Sequence, residues 1–281
     1  MVSMNTLTRE KRIQVLRALV EGNSIRATVR ITGAAKNTVV KLLRDAGRAC
    51  EQYHNKIMVN LSCKRIQVDE IWSFCYAKQR NVPQKYQGQF GYGDVWTWVA
   101  LDPDSKLVPV WLIGQRNSFC AKKLMYELSQ RMANRIQLTT DAYRPYYEAV
   151  NNAFSDDVDY AQLMKLYGPE KSGEKRYSPS TLLCAIERPM IGNPDKKHIS
   201  TSMVKRQNLT MRMQMRRFTR LTNGFSKKVE NLHWAVALHF MHYNFCRIHK
   251  SLRVTPAMEI GISDHIWELE DIVNLLDKKA N

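Results

Sequence analysis

The sequence predicts an α/β fold, a mixed sheet flanked by helices, with a helical unit before it and a helical region after it. Three observations lead there. Apolar residues recur at helical spacing up to about residue 48, the period switches to two at Lys64, and short strands then alternate with helical stripes. A chain of 281 residues corresponds to roughly two domains. With 44% hydrophobic and 25% charged residues, wholesale disorder is excluded.

The elements follow in order. In residues 8–21, Ile13, Leu16, Leu19 and Val20 make a helical stripe, and Gly22-Asn23 stop it. Ser24 caps a short second helix carrying Ile25 and Val29. Thr32-Gly33-Ala34 break the chain, and a third helix is expected from Lys36 to Arg48. Val39, Leu42, Leu43 and Ala46 face inward there. Asn37, Lys41, Arg44 and Arg48 fall at i, i+4, i+7 and i+11 on an outward stripe. This is the layout of a helix-turn-helix reader, with amide and basic side chains for base edges and phosphates. Residues 1–60 are therefore read as a DNA-binding domain. A three-helix cap on the next domain is the plainer alternative.

Lys64–Ala77 alternate. Ile66, Val68, Trp72, Phe74 and Tyr76 share one face, while Gln67, Asp69, Ile71, Ser73 and Cys75 take the other. On this parity, Glu70 points away from Asp69. Residues 77–93 read as a polar, Gly-rich loop. Asp94–Leu101 is a second strand, Asp102–Ser105 a turn, and Leu107–Ile113 a third strand with Pro109 at an edge or bulge. A helix over Asn117–Ala133 precedes a fourth strand, Ile136–Thr140, which ends at Asp141. A helix from about Tyr143 to Phe154 and a fifth strand, Val158–Leu166, complete the series. Three strands, helix, strand, helix is the layout of an RNase H-like domain. In it the first and fourth strands are neighbours, so Asp69 and Asp141 lie side by side.

Two converging carboxylates repel unless a cation lies between them. Mg²⁺ or Mn²⁺, which take oxygen ligands, meet that need and serve phosphoryl chemistry. The alternative pairs Asp69 with a nearby Lys or Arg and makes Asp141 a helix cap.

Lys and Arg number 43 against 26 Asp and Glu, a net charge of +17. Residues 1–65 hold 13 basic and 4 acidic residues, and residues 196–229 hold ten basic residues and no acid. A solvated face explains any one such block. Two blocks on one basic chain point to a phosphate backbone. A membrane surface would want an amphipathic basic helix, which neither block supplies. No apolar run approaches the ~18 residues of a bilayer span, and MVSMNTLTREKRIQ has no signal-peptide core. The expected location is cytoplasmic. Cysteines 50, 63, 75, 120, 184 and 246 form no C-x-x-C pair, which argues against a zinc ribbon or disulfide framework.

Several long segments, in order, resemble the insertion-sequence-one type of bacterial transposase, within the DDE superfamily. They are KRIQVDEIWSF (64–74), GYGDVWTW (91–98), QLTTDAY (137–143), HISTSMVKRQNLTMRMQMRRFTRLTNGFSKKVEN (198–231) and HYNFCRIHKSLRVTPAM (242–258). The resemblance covers nearly the whole chain. It implies a helix-turn-helix that recognises the element's terminal inverted repeats. It implies an RNase H-like catalytic domain, read here over 61–230, followed by a helical region over 231–281. Residues 168–197, rich in Gly, Pro, Ser and Lys, read as a flexible insert between the fifth strand and the last catalytic helix. The implied reaction is metal-dependent nicking and strand transfer into target DNA, with Mg²⁺ or Mn²⁺ on Asp69 and Asp141, in a homo-oligomer that pairs two ends. Arg206 and Arg212 would hold phosphates near the scissile bond, with Asn208, Arg216 and Arg217 also on the DNA side.

The third catalytic position departs from the family, whose glutamate is Lys205 here. An ammonium has no lone pair and cannot ligate a cation. Cleavage is therefore expected to be impaired, and a non-catalytic DNA-binding protein or repressor of transposition is the alternative. Glu187 and Asp195 in the insert match no motif and do not replace the glutamate. His239, His242, Cys246 and His249 recur along a helix expected over 230–250, but one straight helix cannot converge four ligands on zinc. Met203, Met211, Met213 and Met215 read as adaptable packing. The acidic tail carries Ile266, Leu269, Ile272, Val273 and Leu276 at helical spacing, to dock on a partner subunit or on its own core.

Overall fold

The computed structural model describes residues 7–169, 180–219 and 222–277. Three helices open the chain: α1 (Arg9–Val20), α2 (Ile25–Thr32) and α3 (Lys36–Ile57). Thr8 and Ser24 cap the first two, their hydroxyls accepting from Lys11 N at 3.3 Å and Ala27 N at 3.1 Å. The third helix does not stop at Arg48 but continues to Ile57. Its apolar stripe continues through Ala49 and Cys50, and His54 is buried on the same helix. A helix propagates while a packed face rewards each turn.

The strands are β1 (Arg65–Cys75), β2 (Gly93–Leu101), β3 (Val110–Gly114), β4 (Ile136–Asp141), β5 (Val158–Tyr167) and β6 (Leu182–Ile191). They form one mixed sheet in the order β3-β2-β1-β4-β5-β6. β1 pairs antiparallel with β2 and parallel with β4, β4 runs parallel to β5, and β6 returns antiparallel on the outer edge. The remaining helices are α4 (Ser118–Ser129), α5 (Pro145–Phe154), α6 (Ser202–Gln214), α7 (Val229–Met241), α8 (Pro256–Glu259) and α9 (Leu269–Asp277).

Cross-strand partners share a face. Asp69, Val99 and Trp111 lie on one side, and Glu70, Trp98 and Leu112 on the other. Trp111 packs on Phe240 of α7, whereas Trp98 meets Tyr146 of α5 edge to face at 5.7 Å. Helices therefore cover both faces. One apolar core runs from Val15 in α1 to Val273 in α9 without a break at residue 60. Gly47 is where α3 meets α7: a Cβ there would lie 2.5 Å from the Trp234 carbonyl oxygen.

Three expectations are corrected. Much of the 168–197 insert is ordered, because Leu182–Ile191 form β6 against β5 and Lys196–His198 make a single 3-10 turn. Residues 170–179 of it lie outside the described residues, as does Arg220 of the second basic block. The helix expected over 230–250 ends at Met241 and passes into a π turn, His242–Cys246. There the Asn244 side chain leaves the helical path: its Oδ1 accepts from Val108 N and its Nδ2 donates to Val108 O, both at 3.0 Å. Lastly, β1 ends at Cys75, and Tyr76 turns out of the strand at φ 67°.

The acidic tail docks on its own chain. Leu269, Ile272 and Val273 of α9 are buried in the common core. Arg12 pairs with Asp277 at 2.7 Å, and Arg9 donates to Asn274 Oδ1 at 2.7 Å. Among the described residues no helix is long and apolar enough to cross a membrane.

Candidate functional site

The parallel pairing of β1 with β4 ends at Gln67 opposite Thr139. Beyond that point the β4 side of β1 is an open edge, and Asp69 and Glu70 come next. Asp141 closes β4 beside them. Ligand oxygens of Asp69, Glu70 and Asp141 all lie within 4.8 Å of one another. Asp69 and Asp141 meet as the sequence led us to expect. Glu70 corrects the reading of strand parity, since its carboxyl also reaches the cluster. Parity fixes the face a side chain leaves from, but at an open edge a long side chain can turn around the strand.

Each carboxyl has its own surroundings. Asp69 is buried, and Asn208 of α6 donates from Nδ2 to Asp69 Oδ2 at 2.9 Å. Burial pushes the Asp69 carboxyl up to about 6, against the nearby Lys205 ammonium, which lowers it, while Asp141 raises it. The Glu70 side chain is 2% exposed, and its Oε1 is buried without a hydrogen-bond partner. Burial and then Asp141 push its carboxyl up to about 7, opposed by Arg116. Asp141 Oδ1 accepts from Tyr143 N at 3.0 Å, which fixes its rotamer at the strand end.

Two cations border the cluster. Arg116, just after β3, reaches Glu70 Oε2 and Asp141 Oδ2, each at 3.7 Å. Its guanidinium lies 4.1 Å from the Tyr143 ring centroid and 5.2 Å from that of Trp96. Lys205, on α6, exerts the largest single charge effect on Asp69. Lys165 of β5 stands nearby, and burial followed by Lys205 lowers its affinity for a proton.

Helix α6 is set on the sheet by Gln67. Its Oε1 accepts from Met203 N at 2.9 Å and Val204 N at 3.1 Å, satisfying two free donors of the first helical turn. This contact places Lys205 and Asn208 over Asp69.

The remaining predicted residues divide. Asn37, Lys41, Arg44 and Arg48 are all exposed along α3. Lys41 pairs with Asp45 at 2.6 Å, and Arg48 lies 5.7 Å from the Trp234 ring centroid. Arg206 and Arg216 are exposed, and Arg212 is half-buried. Asn208 is committed to Asp69 rather than to the outer surface. Arg217 turns inward: its Nε donates to Ser226 Oγ at 2.9 Å, and burial lowers its guanidinium to about 10. His239, His242, Cys246 and His249 do not gather, and among the described residues the carboxylate trio is the one group with metal-ligand spacing. Burial lowers the His239 imidazole to about 3, so it packs as a neutral ring.

Glu70, Arg116, Tyr146 and Gln67 were not foreseen as site residues. The hydroxyl of Tyr146 is buried beside Glu70 without a partner of hydrogen-bond geometry, and burial raises it well above the usual tyrosine range. Only Glu70 left a trace in the sequence, as the second acid of an Asp-Glu pair inside a strand. No family model matches the chain, and no curated protein matches it.

Proposed function

We propose that this chain is a DNA-processing protein of the DDE transposase kind, with a helix-turn-helix at its N-terminus and an RNase H-like core. On this reading it binds terminal inverted repeats and cuts and joins DNA strands, with cutting impaired by Lys205. The observation that carries the proposal is the meeting of Asp69, Glu70 and Asp141 where two parallel neighbouring strands part. The sheet order around it is compatible with an RNase H-like core.

The trio fits a divalent cation. Three carboxylates at this spacing form a hard oxygen donor set, and Glu70 Oε1 is buried beside the Tyr146 hydroxyl without a hydrogen bond of good geometry. Asp69, Glu70 and Asp141 would hold Mg²⁺ or Mn²⁺. When bound, the ion supplies Lewis-acid activation at the reacting phosphate and neutralises charge that builds there. Around it, Asn208 fixes the Asp69 carboxylate and Tyr143 N fixes that of Asp141. Arg116, held by two aromatic rings, is placed to take a phosphate oxygen. Lys205 opposes loading of the site by offsetting the charge of Asp69.

Lys205 also favours a second reading, a protein that occupies element ends without cutting. A nicking assay separates the two. Supercoiled plasmid is incubated with Mn²⁺ and either the natural chain or Lys205→Glu. Faster nicking by Lys205→Glu, abolished by Asp141→Asn, supports the catalytic reading. DNA binding by both with no nicking by either supports the second. Equal, rapid nicking by both contradicts the role given to Lys205.

A further inference from the structure

The β1–β2 hairpin projects past the carboxylate cluster and carries a run of aromatic rings. Trp72 and Trp96 are cross-strand partners. Trp96 touches Arg116, which itself contacts Glu70 and Asp141. On the same strand face Trp72 meets Phe74 at 5.7 Å, and Phe74 meets Phe225 at 4.7 Å. Beyond lie Tyr76, Tyr86 and Tyr92. The last two stack at 4.3 Å with planes 6° apart, and Tyr76 stands edge-on to both.

Cations accompany the rings. Residues 77–93 contain Lys78, Arg80 and Lys85 and no acid. Lys85 Nζ lies 4.8 Å from the Tyr86 centroid, and Lys227 Nζ lies 4.2 Å from that of Phe225. Tyr76 and Phe90 are 38% and 48% exposed, more than packing requires. The hairpin is also held in shape. Gln79 Oε1 accepts from Asp94 N at 3.0 Å, and a Cβ at Gly93, where φ is +94°, would lie only 2.1 Å from that oxygen. Tyr76 keeps its left-handed backbone through a bond from its N to Ser226 O at 2.9 Å.

Rings beside cations, with an acid-free loop over residues 77–93, suit a strand whose bases are unpaired. Stacking uses the base faces that duplex DNA hides, and lysines track the phosphates. We propose that this hairpin is a binding track for single-stranded DNA, which takes the unpaired strand leading away from the carboxylate cluster. Tyr76 and Phe90 present stacking faces, and Lys78, Arg80, Lys85 and Lys227 hold the backbone. The inference rests on the DNA-processing reading above and names the form of DNA that the site receives.

The test is fluorescence anisotropy with the full chain. One probe is a labelled oligothymidylate of roughly twelve nucleotides, within the ~4–16 nucleotide range of known single-strand sites. The other is a duplex of equal length. Tyr76→Ala combined with Phe90→Ala is expected to weaken single-strand binding about tenfold, within the range for lost base stacking. Duplex affinity should change by less than about twofold, and Tyr76→Phe, which keeps the ring, should behave as the natural chain. Equal loss on both probes, or no loss on either, overturns the track. A natural chain that binds neither probe overturns both the track and the DNA-processing reading. Selective loss on the single strand supports the track even if no variant ever nicks plasmid, a result that would sink the catalytic reading alone.

Discussion

At the scale of single residues, the site is a balance of three acids against two cations. Asp69 and Glu70 both hold their protons more tightly than free carboxyls, up to about 6 and about 7, chiefly because they are buried. A group raised in the folded state stabilises the fold fully below its unfolded value and loses that contribution as pH rises through the folded one. Without a divalent cation, the melting temperature should therefore fall as pH rises from about 4 to about 7, and Glu70→Gln should flatten the fall. Added Mn²⁺ should bind more tightly as the protons leave, and so restore stability near pH 8. Thermal melts near pH 5 and pH 8, with and without Mn²⁺, check both signs. Asn208→Ala removes the side-chain hydrogen bond that Asn208 donates to the Asp69 carboxylate. It should raise the Asp69 carboxyl further and weaken Mn²⁺ binding by about tenfold, measured by calorimetry.

At the scale of elements, the site depends on where two ladders stop and on how α6 and α7 are seated. Gly47 lets α3 approach α7, and a Cβ there would meet the Trp234 backbone and Cβ at 2.5–2.7 Å. Gly47→Ala should cost about 1–3 kcal/mol by overpacking, seen as a drop of a few degrees in melting temperature. The seven helices and strands from Ser118 back to α1 were legible as elements, because periodicity and turn chemistry mark them. Asp69 and Asp141 could be placed on neighbouring strands for the same reason. Glu70 could not be placed, because strand parity describes a paired strand and β1 is unpaired on that side by residue 70. The ends of α3 and α7 were misjudged because each is set by a distant partner. For α3 this is the packed face of α7, and for α7 it is the tie between Asn244 and Val108. Strand β6 was hidden by the Gly, Pro and Lys of its neighbours. Its side chains are almost all exposed, so no burial pattern announced it.

At the scale of the whole molecule, charge is the dominant property. A net charge of +17 gives a long-range attraction to polyanions, and binding by released counterions weakens steeply with salt. The basic residues are nonetheless not equivalent. Arg44 is exposed on α3, whereas Arg217 is turned inward onto Ser226. Arg44→Ala should weaken duplex binding and reduce the slope of log affinity against log salt by about one. Arg217→Ala should leave that slope unchanged and lower the melting temperature. A salt titration of both variants distinguishes a phosphate contact from a structural cation. The C-terminal helix belongs to the same picture, because its Asp277 pairs with Arg12 of α1 while its apolar face joins the core. The apolar core therefore continues across residues 60 and 230 without a break.

On the proposed reading, Asp69, Glu70 and Asp141 form a divalent-cation site which Lys205 opposes. The direct measurement is calorimetric titration of Mn²⁺ into the natural chain, Asp141→Asn and Lys205→Glu, near pH 8. The expected result is weak binding by the natural chain, none by Asp141→Asn and binding at least about tenfold tighter by Lys205→Glu. Equal affinity in all three, or no binding in any, would contradict it.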